Sequence, residues 1–491
     1  MPGLGRTAAS VDPGRERARK RLVAIVLLIY LLAIFEGSIR KYLLPQFGQY
    51  IFFIRDPFLI YAYLLATRFG LWPRNSLLFR LSILMGLLGV LLFGVQAATG
   101  PASELRLLLG VYGWRSYFLY APLAFLVGAQ FHREDIARFA KLTLALAVPI
   151  AALVALQFFS PVNAPINVGV ADETELQFKG ETVNAEHVRA TGPFSSNVGQ
   201  QQFVTTAWAF LLAWLLLPAA QRKIPLILLP FAASAVLTCV ALGGSRGTLL
   251  QCVLIGVFAL AIGLFGRGAA FKAKAIALPA LLAATAVALY PLVFPQGFSV
   301  FVERWNTAAS AEAGFEGGVF GRALYGLIDF IRLIEVVPPF GYGLGYGGNA
   351  STTLHATIDG VLPGSLAETD FARHMVDLGF VFGLAYMAFR LSLVVSMTRQ
   401  VLRATRLVAD PLPMMLLSYA GYVVLQGQLT GNGSINIYGW LFAGLCIAAS
   451  REALQPSAPP LLDRAGVLPR RRIRSPLGLA SRSLRPYANS R

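Results

Sequence analysis

ERWNTAAS (303–310), FGRALYGLIDFIRLIEVVPPFGYGLGYGG (320–348) and SLAETDFARHMVDLGF (365–380) belong to one long polar interruption, from about Phe294 to His374. Apolar runs bracket it, nine before and three after. A helix needs about 20 apolar residues to cross the hydrocarbon of a bilayer. The interruption is therefore read as an extramembrane loop that carries the chemistry. The apolar runs are its helical scaffold.

Composition agrees. The 491 residues are 56% hydrophobic and 13% charged, with a mean hydropathy of +0.62. Soluble domains carry about 25% charged residues. The fold class is all-α, a polytopic membrane protein. Twelve spans are expected, at 22–37, 49–67, 78–98, 106–128, 140–160, 202–219, 224–242, 247–266, 274–295, 375–397, 411–430 and 434–450. Residues 1–21 form a basic cytoplasmic N-terminus. IFEGSIRKY (34–42) contains no small-residue cleavage site, so 22–37 is read as an uncleaved first helix. The first nine helices fill 22–295, with an outer loop at 161–201. The large loop is 296–374, the last three helices fill 375–450, and 451–491 is a basic, disordered cytoplasmic tail.

The net charge of +18 suggests nucleic acid in a soluble protein. In a membrane protein, Lys and Arg first mark cytoplasmic loops. With the N-terminus inside and the spans alternating, 29 of the 42 cations fall on the cytoplasmic side. No nucleic-acid partner is inferred. Arg189, Arg246, Arg304 and Arg322 fall on the outer side, against that preference. A cation kept there suggests an anionic partner; the plainer reading is a solvated loop charge. The three cysteines lie in apolar runs, and the four histidines have no metal-ligand spacing, so no metal or other cofactor is inferred.

Arg246 stands in GGSRG (243–247), between two spans, where glycines permit close backbone approach. Its planar fork suits phosphate oxygens; otherwise it is a snorkelling helix-end Arg. In 318–336, Leu324, Leu327, Ile328, Ile331 and Ile334 share one helical face, and Arg322, Tyr325, Asp329 and Arg332 the other. That pattern is an amphipathic helix for an interface, stopped by Pro338 and Pro339. GYGLGYGG (341–348) has no preceding strand and is read as a flexible linker. Glu368 and Asp370 precede the tenth span. Glu368 is a candidate general base for a hydroxyl. The two could also pair on a metal, or serve with Thr369 as first-turn and capping residues. Arg55, Asp56 and Arg115 lie in or near spans and are expected to pair with one another or with Glu36.

RATGPFSSNVGQQ (189–201), SRGTLL (245–250) and GRALYGLIDFIRLIEVVPPFGYGLG (321–345), in this order and topology, resemble the bacterial O-antigen ligase and O-antigen polymerase group of membrane glycosyltransferases. The resemblance covers roughly 140–450. FEGSIRKYLLP (35–45) and FIRDPFLIYAY (53–63) resemble an exopolysaccharide-associated subgroup. The resemblance implies a GT-C-like bundle with a large periplasmic loop between helices 9 and 10, in the bacterial inner membrane among membrane lipids. It implies a glycan on an undecaprenyl-diphosphate carrier, moved without metal or nucleotide to a glycan or lipid acceptor. Arg189, Arg246 and Arg322 would sit on the diphosphate, with Arg304 and Asp370 as further substrate-binding candidates. The chain departs from the pattern at one point. A His-Asn pair often stands about eleven residues before the Gly opening the next span; counting back from Gly379 reaches Glu368 and Thr369. Either Glu368 takes the base role, or the acceptor differs, or the activity is altered. The alternative functions are a lipid-linked glycan transporter or flippase and a non-catalytic assembly subunit.

Overall fold

The computed structural model describes residues 12–99, 104–169, 187–217, 222–265, 269–311, 319–348, 351, 363–408 and 410–455. The expectations for 170–186 and for the tail beyond 455 lie outside the described residues. So do the side chains of Arg304 and Arg322.

Among the described residues there is no strand. The helices are α1 (Pro13–Ser38), α2 (Asp56–Arg68), α3 (Leu77–Thr99), α4 (Glu104–Trp114), α5 (Ala121–Gln130), α6 (Arg133–Phe159), α7 (Asn197–Leu216) and α8 (Leu228–Leu242). They continue with α9 (Arg246–Phe265), α10 (Ala269–Val293), α11 (Pro295–Ala311), α12 (Val319–Ile328), α13 (Asp370–Leu407), α14 (Leu412–Gln426) and α15 (Gly433–Leu454). Seven of these helical stretches are long and apolar enough to cross a membrane. The chain is an α-helical, multi-pass membrane protein.

Burial separates the centre of the bundle from its lipid-facing edge. The most apolar window of α15 is 78% buried and that of α10 only 6%. Around α15, Tyr30, Tyr419, Tyr438, Trp440 and Phe442 are buried together. Tyr30 satisfies its hydroxyl with Thr143 at 2.8 Å, as a buried polar group must. On α10, by contrast, Leu281, Val287 and Leu292 are exposed. Apolar residues all round such a helix are stable only against hydrocarbon.

The connections separate to two ends. At one end, Arg19 meets Asp135 at 2.6 Å, and Lys223 meets Glu134 at 3.2 Å. Lys274 donates to the Leu217 carbonyl and Arg451 to that of Phe131. At the other end, Asn197 donates to the Gly243 carbonyl at 3.1 Å. Tyr290 there donates to the carbonyls of Ala241 and Gly297. We call the first the basic end and the second the cap end.

Two predicted elements differ from expectation. The amphipathic helix is α-helical only to Ile328 and tightens into a 3₁₀ segment, Asp329–Leu333. There Asp329 bonds its i+3 neighbour Arg332 rather than leaving its carboxylate to solvent. GYGLGYGG is not a loose linker. Leu344 and Tyr346 are buried. Gly341, Gly343 and Gly345 have positive φ, and a Cβ on Gly345 would meet the Leu109 carbonyl at 2.2 Å. The glycines serve close backbone packing.

Helix α13 is two arms rather than one rod. Gly379 (φ 73°, ψ −176°) breaks it. In an unbroken helix, Asp370 and Arg390 would stand about 30 Å apart; here they form an ion pair. The short arm Asp370–Leu378 therefore folds back along Phe380–Arg390. The reversal needs glycine, because a Cβ at Gly379 would lie 2.1 Å from the Pro339 carbonyl oxygen. Gly379→Ala is expected to cost at least about 1–3 kcal/mol. Thermal unfolding in detergent checks this against Gly256→Ala, where the added methyl meets nothing within 4 Å and helix propensity should give up to about 1 kcal/mol.

Candidate active site

A cavity of about 490 Å³ opens at the cap end. Its wall comes from the start of α7 (Gln201, Gln202), from Gln251 on α9, from α12 (Tyr325, Gly326), from Glu368–Asp370, from the end of α14 and the turn after it (Tyr422, Val423, Gln426, Gly427, Gln428) and from Ile435 on α15. Glu368 is exposed on the rim, and Gln428 donates to its backbone carbonyl at 3.4 Å. Thr369 is the N-cap of α13, its hydroxyl accepting from the Ala372 amide at 3.2 Å. That hydroxyl also reaches Asp329 at 3.3 Å, which seats the end of the amphipathic segment beside Glu368. Tyr325 keeps its proton well into the alkaline range: its hydrogen bond to Asp329, then burial, raises its pKa. It faces the cavity as a neutral phenol.

Asp370 also touches the cavity, but its carboxylate is engaged by the protein. It accepts from Arg373 at 3.0 Å, from Arg390, and from the Leu429 amide at 3.1 Å. The Thr430 amide and hydroxyl complete the set, at 3.2 and 2.8 Å. Arg390 in turn donates to the Val424 and Gly427 carbonyls and contacts His374 Nε2 at 2.7 Å. Arg373 donates to the Gly347 carbonyl at 2.6 Å. Asp377 accepts from the Gly347 amide at 2.5 Å and from Tyr117 at 3.1 Å. Gln96 closes the same region with bonds to the carbonyls of Phe340 and Asp377 and from the Leu344 amide. This buried network ties the glycine-rich strap and the short arm of α13 to α3, α14 and the π-helical turn Arg115–Leu119.

The remaining sequence candidates are dispersed. Arg246 opens α9, one helix shared with Gln251, and the next residue, Gly247, packs on Gln201. Arg246 does not line the cavity among the described residues. Arg189 is half-buried between buried Val188 and Ala190, likewise off the cavity wall. Arg322 lies on α12 one turn before Tyr325, and Arg304 on α11. The expected intramembrane pairs are present: Arg55 with Glu36 at 3.1 Å and Arg115 with Asp56. Among the described residues, no three His, Cys, Asp or Glu side chains gather as metal ligands do.

Sequence reasoning missed Arg390, Asp377, Tyr117 and the glutamines. Arg390 carried a usable signal, a cation inside the apolar run AFRLSLVV. So did Gln200–Gln202, three amides opening an apolar helix. No protein-family model matches the chain, and no curated protein matches it.

The network separates two neighbouring carboxylates by role. Asp370→Ala leaves Arg373 and Arg390 buried without their counter-charge, which should cost about 3–5 kcal/mol. Glu368→Gln, on the exposed rim, should stay within about 0.5 kcal/mol of the parent. Paired melting curves in detergent check both; an Asp370→Ala protein as stable as the parent would refute the structural role.

Proposed function

We propose that this protein is an O-antigen ligase- or polymerase-like glycosyltransferase of the bacterial inner membrane. It moves a glycan from an undecaprenyl-diphosphate carrier to an acceptor hydroxyl on the periplasmic face, in surface or exopolysaccharide biosynthesis. The observation that carries the reading is the cap-end cavity, with Glu368 on its rim and the amphipathic helix α12 forming one wall. The motifs that resemble the O-antigen ligase group supply the rest of the support.

In this reading the chain crosses the membrane twelve times in a GT-C-like bundle. The basic end, with Arg19, Lys223, Lys274 and Arg451, faces the cytoplasm as the positive-inside rule requires. The acceptor oxygen attacks the anomeric carbon. The bond from that carbon to the carrier diphosphate breaks, and its electron pair leaves on the diphosphate. Glu368 takes the hydroxyl proton. Arg189, Arg246 and Arg322 are assigned to the developing phosphate charge, with Arg304 as a further candidate. Asp370 acts by holding the arm that carries Glu368, through the bonds described above. A flippase would use the same passes. However, Glu36 with Arg55 and Asp56 with Arg115 are paired with each other rather than set along a path.

Glu368→Gln should lower glycan transfer about 10²–10⁴-fold while the protein still inserts and binds the lipid-linked donor; wild-type turnover would remove Glu368 from the reaction. Arg246→Ala should lose transfer, and Arg246→Lys should recover only part of it, because Lys keeps the charge but not the fork. The orientation is checked with single cysteines at Ser310 and Ser483. An impermeant reagent added outside should label the first and spare the second.

A further inference from the structure

We propose that the glutamine-lined cavity is a subsite for a neutral saccharide, binding sugar hydroxyls rather than phosphate. This deepens the transferase reading and rests on it for the identity of the ligand as acceptor sugar. The wall combines five primary amides, those of Gln201, Gln202, Gln251, Gln426 and Gln428. A primary amide carries two donors and an acceptor, a match to a hydroxyl, which both donates and accepts, although the Gln202 oxygen already accepts from Tyr419 at 2.6 Å. Tyr325 and Tyr422 add two exposed aromatic faces at the same wall, where the C–H face of a sugar ring can pack.

Charge narrows the ligand. No Lys or Arg lines the cavity among the described residues, and the charged groups that do are Glu368 and Asp370. An anion meets no counter-charge from these residues. A cation finds the Asp370 oxygens already filled by protein donors and is left with the single rim carboxylate of Glu368. A purely apolar ligand would strand the amides, which is costly. The volume, about 490 Å³, falls within the range of about 300–1,000 Å³ common for small-molecule sites.

One donor is unspent. Gln251 is 4% exposed. Its Oε1 accepts from Gln201 at 3.3 Å, whereas its Nε2 has no hydrogen-bond partner among the described residues. A buried N–H without an acceptor is unfavourable, and the residue that carries it lines the cavity. Glycines hold the amides in position. A Cβ on Gly326 would come within 2.8 Å of Gln426 Nε2, and one on Gly247 within 3.1 Å of Gln201 Nε2. Side chains there would push these amides aside.

The test uses the full chain in detergent, with Gln251→Leu and Gln426→Leu as variants and Gln428→Ala as a rim variant should either fail to fold. Neutral gluco-, galacto- and manno-oligosaccharides are immobilised beside uronic-acid oligosaccharides, and retention is measured without donor. The expected result is retention of at least one neutral glycan over the acidic ones, weakened tenfold or more in the variants. Preference for the acidic glycans, retention unchanged by the substitutions, or no neutral glycan retained would each overturn the proposal. Transfer from an undecaprenyl-diphosphate-linked glycan is measured in parallel. The subsite predicts a raised acceptor KM in Gln251→Leu with kcat little changed. Normal transfer with an unchanged acceptor KM sinks the subsite and leaves the transferase. Saccharide retention without any transfer does the reverse.

Discussion

The Asp370 carboxylate holds together three pieces of chain that would otherwise repel or separate: Arg373 on its own arm, Arg390 on the returning arm, and the loop at Leu429–Thr430. Arg373 and Arg390 are 3% and 0% exposed. A guanidinium so placed is tolerated only with a counter-charge and filled donor positions. The carboxylate supplies the first. Backbone carbonyls of Gly347, Val424 and Gly427 supply the second. Once these are met, Glu368 and Thr369 have fixed positions at the cavity rim. The chemistry proposed for the rim therefore depends on an interaction that itself touches no reacting atom.

Close backbone approach is the second constraint. A Cβ on Gly431 would lie 1.9 Å from Arg373 Nη1, and one on Gly113 2.3 Å from the Gly345 amide. The glycine-rich strap thus works as a wedge between α4 and the short arm, held by Gln96 and Asp377. The contrast with α10 is instructive. That helix spends its apolar surface on lipid and, among the described residues, contributes no wall to the cavity, whereas α15 spends its surface on protein.

The helical scaffold was legible because its signal is local. An apolar run reports its own environment, and seven helical stretches among the described residues are long and apolar enough to cross a membrane, whereas the expected spans 49–67, 106–128 and 375–397 are each interrupted. The pairing of Arg55 and Arg115 with nearby acids was legible for a related reason: a charge in such a run needs a partner, and few are available. The reversal at Gly379 was not legible. Apolar pattern reads continuously from Met375 to Met397, and one glycine in a helix is usually only a weak spot. Its meaning lies in Arg390 reaching Asp370, a contact across twenty positions that no periodicity encodes. The strap failed for the opposite reason. Its glycines suggested looseness, but they mark where backbones touch. Glu368 and Asp370 looked alike in sequence; their roles separate only because one faces solvent and the other faces two arginines.

The folded-back arm also constrains the order in which the protein can be assembled. Asp370, Arg373, His374 and Asp377 lie within nine residues, and the arm is buried. The amide donors that complete the Asp370 shell, at Leu429 and Thr430, come 59 and 60 residues later in the chain. During synthesis the arm emerges before its partners exist, and an apolar bilayer offers its charges no substitute. It must wait in water or at the headgroup boundary until α14 and the following loop arrive. The seating of this arm is therefore a late step, coupled to insertion of the final two helices. Truncation before Leu429 would strand the segment that carries Glu368, however well the preceding helices had formed.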